Sequence, residues 1–300
     1  MRGLEKPLLG RYRIERELGQ GATGIVYLGS DAESGRKVAI KMMVLSQEIA
    51  AEERQGVKER FFREAETAGR LKHPNIVGVY DAGEAHGRAY IAMEFFKGED
   101  LTAYVKPDNL LPLEAVLSIV ARVAEALCFA HRNGVVHRDI KPANILYDPE
   151  SDGVKISDFG IAGVMDSSKA RAGEVHGTPS YMSPEQLAGR NVDGRSDLFS
   201  LGATLYQLGC GRLPFEGDSM AQLIFNIANE PHADIRVHNP RLPACVAAIV
   251  NQSLAKDPGQ RYLDGEQMAK ALRLCLQGLA GARRPGQLSR SAASAVPAAS

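Results

Sequence analysis

Eight consecutive residues, His137-Arg138-Asp139-Ile140-Lys141-Pro142-Ala143-Asn144, are followed by Asp158-Phe159-Gly160, and together they constrain this 300-residue chain more than any bulk property. Moving a phosphoryl group needs one carboxylate beside the acceptor hydroxyl and oxygen ligands for a hard cation such as Mg2+. Asp139 supplies the first, and Asn144 and Asp158 the second. Lys141 can stabilise charge on the group in transit. Either string alone arises by chance; both in this order and at this spacing do not.

Two upstream motifs fit the same chemistry. In Gly19-Gln20-Gly21-Ala22-Thr23-Gly24-Ile25-Val26 the glycines let the backbone turn tightly and approach phosphates. A dinucleotide fold would start a helix here and place an acid about 20 residues on. A strand, Ile25–Gly29, follows instead, which predicts a hairpin lid. Val38-Ala39-Ile40-Lys41 is an apolar, β-branched strand ending in lysine. Such a lysine is usually a solvated edge; behind the glycine hairpin it can reach the α- and β-phosphates as a point charge. It needs an acidic partner, and Glu64 on the following helix competes with Glu66 for that place.

The length fits one large domain or two lobes sharing a cleft. Lys plus Arg and Asp plus Glu each total 36, a balance that gives no support to nucleic-acid or membrane-surface binding. Cys128, Cys210, Cys245 and Cys275 lie far apart without C-x-x-C spacing, and read as separate thiols in a reducing cytoplasm rather than a zinc site or disulfide framework. Met1 to Gly10 lacks the apolar run of a secretory signal, and no apolar stretch is long enough to span a bilayer. Short strands are expected over 11–45, then at Ile76–Tyr80 and Ala89–Phe95; helices are expected from Gly56 to Leu71, from Pro112 to Asn133 with Gly134 as the stop, and over most of the chain after 185. The fold class is therefore α+β with two unequal lobes. From Gly278 the Ala/Ser/Pro-rich sequence has little to bury and reads as a disordered linker.

Taken together, these motifs resemble the eukaryotic-like (Hanks-type) serine/threonine protein kinases, in their bacterial branch, over roughly residues 11–275. The resemblance implies the bilobal kinase fold, a small mostly-β N-lobe over a larger mostly-α C-lobe, with ATP and Mg2+ in the cleft and Mn2+ as an alternative metal. It divides the chain into an extension (1–10), a kinase domain (11–276, with N-lobe 11–94, hinge 94–100 and C-lobe 101–276) and a tail (277–300). Glu64 is preferred to Glu66 because it precedes Leu71-Lys72-His73-Pro74-Asn75-Ile76-Val77 at the family's spacing. Asp139, Lys141, Lys41 and Glu64 match catalytic positions, and Asn144 and Asp158 the metal ligands. Gly19, Gly21 and Gly24 match the phosphate lid, Met93 the gatekeeper, Glu94 and Phe96 the hinge, Asp100 the ribose contact, and Val26, Ala39 and Leu146 the apolar sandwich around the base.

Gly177-Thr178-Pro179-Ser180-Tyr181-Met182-Ser183-Pro184-Glu185 matches the segment that receives a substrate peptide, with Ser183 where alanine is commoner. Glu185 and Arg261 match a structural ion pair, and Asp197 the aspartate that ties down the catalytic-loop backbone. Lys141 and Thr178 match serine/threonine rather than tyrosine kinases. The implied partners are protein substrates and ATP, with a transient homodimer for trans-autophosphorylation, and the implied setting is cytoplasmic. Arg138 matches an arginine that pairs with an activation-segment phosphate; Glu174, or else Ser167 and Ser168, is its expected counterpart. A pseudokinase is disfavoured by the intact Lys41, Glu64, Asp139, Asn144 and Asp158, and a small-molecule phosphotransferase by the peptide-binding segment. A kinase that forms one part of a larger protein remains compatible with the tail.

Overall fold

The computed structural model describes residues 8–21, 24–43, 51–159 and 179–282. Its N-terminal part is an antiparallel sheet built from β1 (Leu8–Leu9), β2 (Tyr12–Gly21), β3 (Gly24–Asp31), β4 (Lys37–Met42), β5 (Val79–Ala85) and β6 (Arg88–Glu94), in the spatial order β1-β2-β3-β4-β6-β5. Strand β4 is interior and buried on both faces. Side chains alternate along a strand, so Val38, Ile40 and Met42 enter one apolar cluster with Tyr12 and Tyr90. Ala39 and Met43 enter the other, with Ile91, Met93, and Phe61 and Ala65 from the helix α1 (Ala51–Gly69). That alternation puts Lys41 on the Ala39 face, between the sheet and the C-terminal body.

The C-terminal body is helical around α2 (Leu113–Arg132) and α4 (Gly194–Cys210), with the short α3 (Pro184–Leu187) before α4. It continues through α5 (Met220–Asn229), α6 (Ile235–His238), α7 (Ala244–Ser253) and α8 (Gly265–Ala282). Helix α2 buries Leu117, Ile119, Val120, Val123 and Leu127, and α4 buries Leu198, Phe199, Leu201 and Leu205, in one continuous core. Each such side chain contributes about 1.5–3 kcal/mol on burial. Gly134 follows α2 at φ 75°, and Gly211 ends α4 at φ 76°, the left-handed conformation that terminates helices cheaply in glycine. A small sheet of β7 (Glu99–Asp100), β8 (Ile145–Asp148) and β9 (Gly153–Ile156) lies on this body.

The α+β architecture of two unequal parts is as expected. Four local expectations change. Helix α8 runs on to Ala282, so Gly278 to Ala282 continue the helix rather than begin a disordered linker. Helix α1 begins five residues before Gly56, at Ala51. Ile76–Tyr80 is not a strand: β5 starts at Val79, because Ile76 and Val77 are engaged with β9 instead. Val77 N–H donates to Ile156 O at 2.9 Å and Ile156 N–H to Asn75 O at 2.8 Å, which ties the two bodies together. The cysteines are not all separate thiols. Cys245 on α7 and Cys275 on α8 form a disulfide, while Cys128 and Cys210 are free and buried. The pair lies 30 residues apart, and packing of α7 on α8 brings it together.

Candidate active site

The glycine-rich segment is the β2–β3 hairpin, with Gly21 opposite Gly24 in register. Gly24 has φ 142°, and a Cβ there would stand 2.0 Å from Met42 O, so only glycine lets the hairpin lie this close to β4. Gly19 is on β2, and a Cβ there would meet nothing within 4 Å. Beneath the hairpin lies a cleft of about 950 Å3 between the two bodies. Ten of the expected binding residues line it: Gly19, Val26, Ala39, Lys41, Met93, Glu94, Phe96, Asp100, Leu146 and Asp158. Ala39 and Met93 from the sheet pack with Val26 and with Leu146 from β8, giving the cleft an apolar wall on both sides. Glu94 is held at the junction by Lys155 Nζ at 3.0 Å and by Gly78 N–H at 3.2 Å.

The β8–β9 hairpin explains why two strings far apart in sequence meet. Ile145 pairs with Ile156, so the residue before β8 and the residues after β9 are neighbours. Ser157 N–H donates to Asn144 O at 2.9 Å, and Asp158 follows. Lys41 Nζ reaches across from β4 to Asp158 Oδ1 at 2.7 Å, with the lysine 4% exposed. Asp139 accepts from Lys141 Nζ at 2.8 Å and from Asn144 Nδ2 at 2.9 Å. Turning its amide nitrogen onto Asp139 leaves the oxygen of Asn144 as its remaining polar atom.

The main chain here is held on several sides. His137 Nε2 donates to Ser157 O at 2.8 Å, so Nδ1 is the atom that accepts the Asp139 N–H at 3.2 Å. Its ring meets that of the buried Phe159 edge-on at 4.6 Å. Arg138 and Asp158 have φ of 69° and 62°, conformations that cost a non-glycine residue roughly 1–3 kcal/mol unless neighbours impose them. Asp197, fully buried at the start of α4, imposes the first: its carboxylate accepts His137 N–H at 2.8 Å and Arg138 N–H at 2.7 Å, and meets His131 Nε2 at 2.7 Å. Glu185 and Arg261 form a buried ion pair with contacts of 2.6 and 2.8 Å. Burial alone pushes the Glu185 carboxyl up, but hydrogen bonds from Arg261 and Ser196 outweigh it and hold it below the usual range.

Glu64 lies on α1, but its side chain falls outside the described residues, and so do Gly177, Thr178 and the activation residues Glu174, Ser167 and Ser168. The sequence reading missed Gln186, which links α3 to Arg138 through Nε2 to O at 2.8 Å. The signal was present as Ser183-Pro184-Glu185-Gln186, an N-cap serine with glutamine three residues on.

The model of the protein kinase domain matches residues 12–271. The chain belongs to the protein kinase family. The kinase is 38% identical to the serine/threonine-protein kinase PrkC of Bacillus subtilis, over 88% of this chain and 40% of that protein. It is 39% identical to PknB of Mycobacterium leprae, over 87% of this chain and 42% of that protein. It thus spans about two fifths of the length of these relatives. The crystal structure of the Mycobacterium tuberculosis PknI kinase domain superposes with a TM-score of 0.72 at 31% identity, covering 91% of this kinase and 99% of that domain.

Proposed function

We propose that this kinase transfers the γ-phosphoryl group of ATP to Ser and Thr hydroxyls of protein substrates. The observation that carries the reading is the Lys41–Asp158 pair in the lining of an apolar-walled cleft, with Asn144 hydrogen-bonded both to Ser157 beside Asp158 and to Asp139, which in turn holds Lys141. The adenine fits between Val26 and Ala39 above and Leu146 below, with its edge toward the backbone of Glu94 and Phe96 and its ribose toward Asp100. Lys41 positions the α- and β-phosphates, and Glu64 is its partner on α1. Asp139 orients the acceptor hydroxyl and takes its proton as the new oxygen–phosphorus bond forms and ADP departs. Lys141, 2.8 Å from that carboxylate, stabilises the charge of the phosphoryl group in transit.

Asn144 and Asp158 offer an amide and a carboxylate oxygen, the hard donors Mg2+ takes, with Mn2+ as an alternative. When bound, the metal neutralises charge on the phosphate oxygens. Three further proposals rest on the likeness to bacterial kinases. The domain spans 11–276 beside a short extension and a tail; it serves cytoplasmic signalling; and it phosphorylates itself through a transient homodimer. No helix among the described residues is long and apolar enough to cross a membrane. Labelled ATP with Mg2+ and a protein acceptor, with the modified residues mapped by mass spectrometry, tests the transfer and its Ser/Thr specificity.

A further inference from the structure

The short helix α3 is capped by a reciprocal pair. Gln186 N–H donates to Ser183 Oγ at 3.4 Å, while Gln186 Oε1 accepts from Ser183 N–H at 3.1 Å and Ser183 Oγ at 3.0 Å. The other end of the same amide, Nε2, donates to Arg138 O at 2.8 Å. These partners fix the orientation of the amide: a backbone N–H demands the oxygen on one side and a carbonyl demands the nitrogen on the other. The carbonyl it grips belongs to the peptide joining Arg138 to Asp139. The N–H of that same peptide donates to His137 Nδ1 at 3.2 Å. One peptide plane is therefore held at both edges, directly before Asp139. On its other side Arg138 is in the left-handed region, with its own N–H on Asp197. A residue in that conformation reaches competing backbone states by rotating the next peptide plane, and such a rotation would swing the Asp139 side chain.

We infer that Gln186 is a positioning residue: it locks the Arg138–Asp139 peptide and couples the seating of the peptide-receiving segment to the aim of Asp139. The inference rests on the kinase reading for its catalytic consequence, but not for the clamp. Capping alone does not explain the residue. At the third position of a helix, glutamate satisfies a serine cap as well as glutamine does, and its charge suits the helix N-terminus better. Glutamate cannot donate to the Arg138 carbonyl. A positioning role therefore separates the two side chains, and a capping role does not.

The test is Gln186→Glu, with Gln186→Ala as a second variant, against the wild-type chain. Melting temperature reports folding, initial rates give kcat and KM for ATP and for a peptide acceptor, and amide hydrogen exchange is read over residues 137–140. Gln186→Glu is expected to melt like the wild type and to lose about tenfold in kcat, the size expected for one oriented hydrogen bond, at unchanged KM for ATP. Exchange over the catalytic loop rises in both variants. Wild-type kcat in either folded variant overturns the proposal, as does a kcat that falls only in step with the folded fraction, or a loss confined to KM for the peptide. A wild type that transfers no phosphate contradicts the kinase reading; unchanged exchange at the loop contradicts the clamp whatever the activity.

Discussion

The buried carboxylate of Asp197 holds the main chain of Arg138, with Oδ1 accepting its N–H at 2.7 Å. Oδ2 does the same for His137 at 2.8 Å. Asparagine in place of Asp197 keeps one acceptor and turns an NH2 group toward a buried N–H. The charge assistance goes as well, so Asp197→Asn is expected to cost about 2–4 kcal/mol of stability. Phosphotransfer falls at least about tenfold, because the distorted segment carries Asp139. Urea unfolding and initial rates on the same preparation check both effects.

The Glu185–Arg261 pair makes a pH prediction. The folded-state pKa of Glu185 is held below its ordinary value, so its contribution is complete above the unfolded-state pKa, about 4.3 for glutamate, and fades as pH falls through the lower folded value. Wild-type stability therefore drops more steeply below about pH 4 than that of Glu185→Gln. At neutral pH, Arg261→Ala strands a buried carboxylate and costs about 3–5 kcal/mol. Denaturant titrations at a series of pH values measure both.

The Cys245–Cys275 bond closes a loop across a sequence separation of 30 between α7 and α8. Loop-closure entropy gives a loop of this size about 3–4 kcal/mol. Reduction, or the paired substitution Cys245→Ala/Cys275→Ala, is expected to lower stability by that order while leaving KM for ATP unchanged, since neither residue lines the cleft. Thermal melting with and without dithiothreitol reads the first effect, and nucleotide titration of initial rates the second.

Substrate selection follows from two uncharged positions. Ala143, directly before Asn144, and Gln207 on α4 are both uncharged. Gln207 accepts the hydroxyl hydrogen bond of Tyr181, whose own pKa burial pushes up to about 12, so this pair stays neutral at working pH. An incoming arginine finds no carboxylate at either place, although Asp100 at the cleft can hold one. A positional peptide library should show weak arginine preference before the acceptor; strong preference at two positions would contradict this.

Much of the fold was legible because its strands and helices follow local rules. Val38–Lys41 alternates and is β-branched, and α2 repeats its apolar residues at helical spacing up to Gly134. The cleft was legible because its chemistry needs particular side chains in a fixed order. What could not be read depends on tertiary contact. Ile76 and Val77 look like strand, yet Ile76 N–H donates to His73 O and Val77 N–H to Ile156 O on β9. Cys245 and Cys275 share no local spacing, and only the packing of two helices pairs them. Gln186 carried a capping pattern, but nothing in the sequence says that its free amide nitrogen meets a carbonyl 48 residues away.

Lys41 and Asp139 are the residues proposed to serve transfer of phosphate from ATP to a protein hydroxyl. The most direct measurement incubates the wild type, Lys41→Met and Asp139→Ala with γ-labelled ATP, Mg2+ and a protein acceptor, then maps the label. The wild type is expected to label Ser and Thr residues, and each variant to lose at least about 100-fold in rate while melting as a folded protein. Near-normal transfer by either folded variant, or no label on Ser or Thr from the wild type, would contradict it.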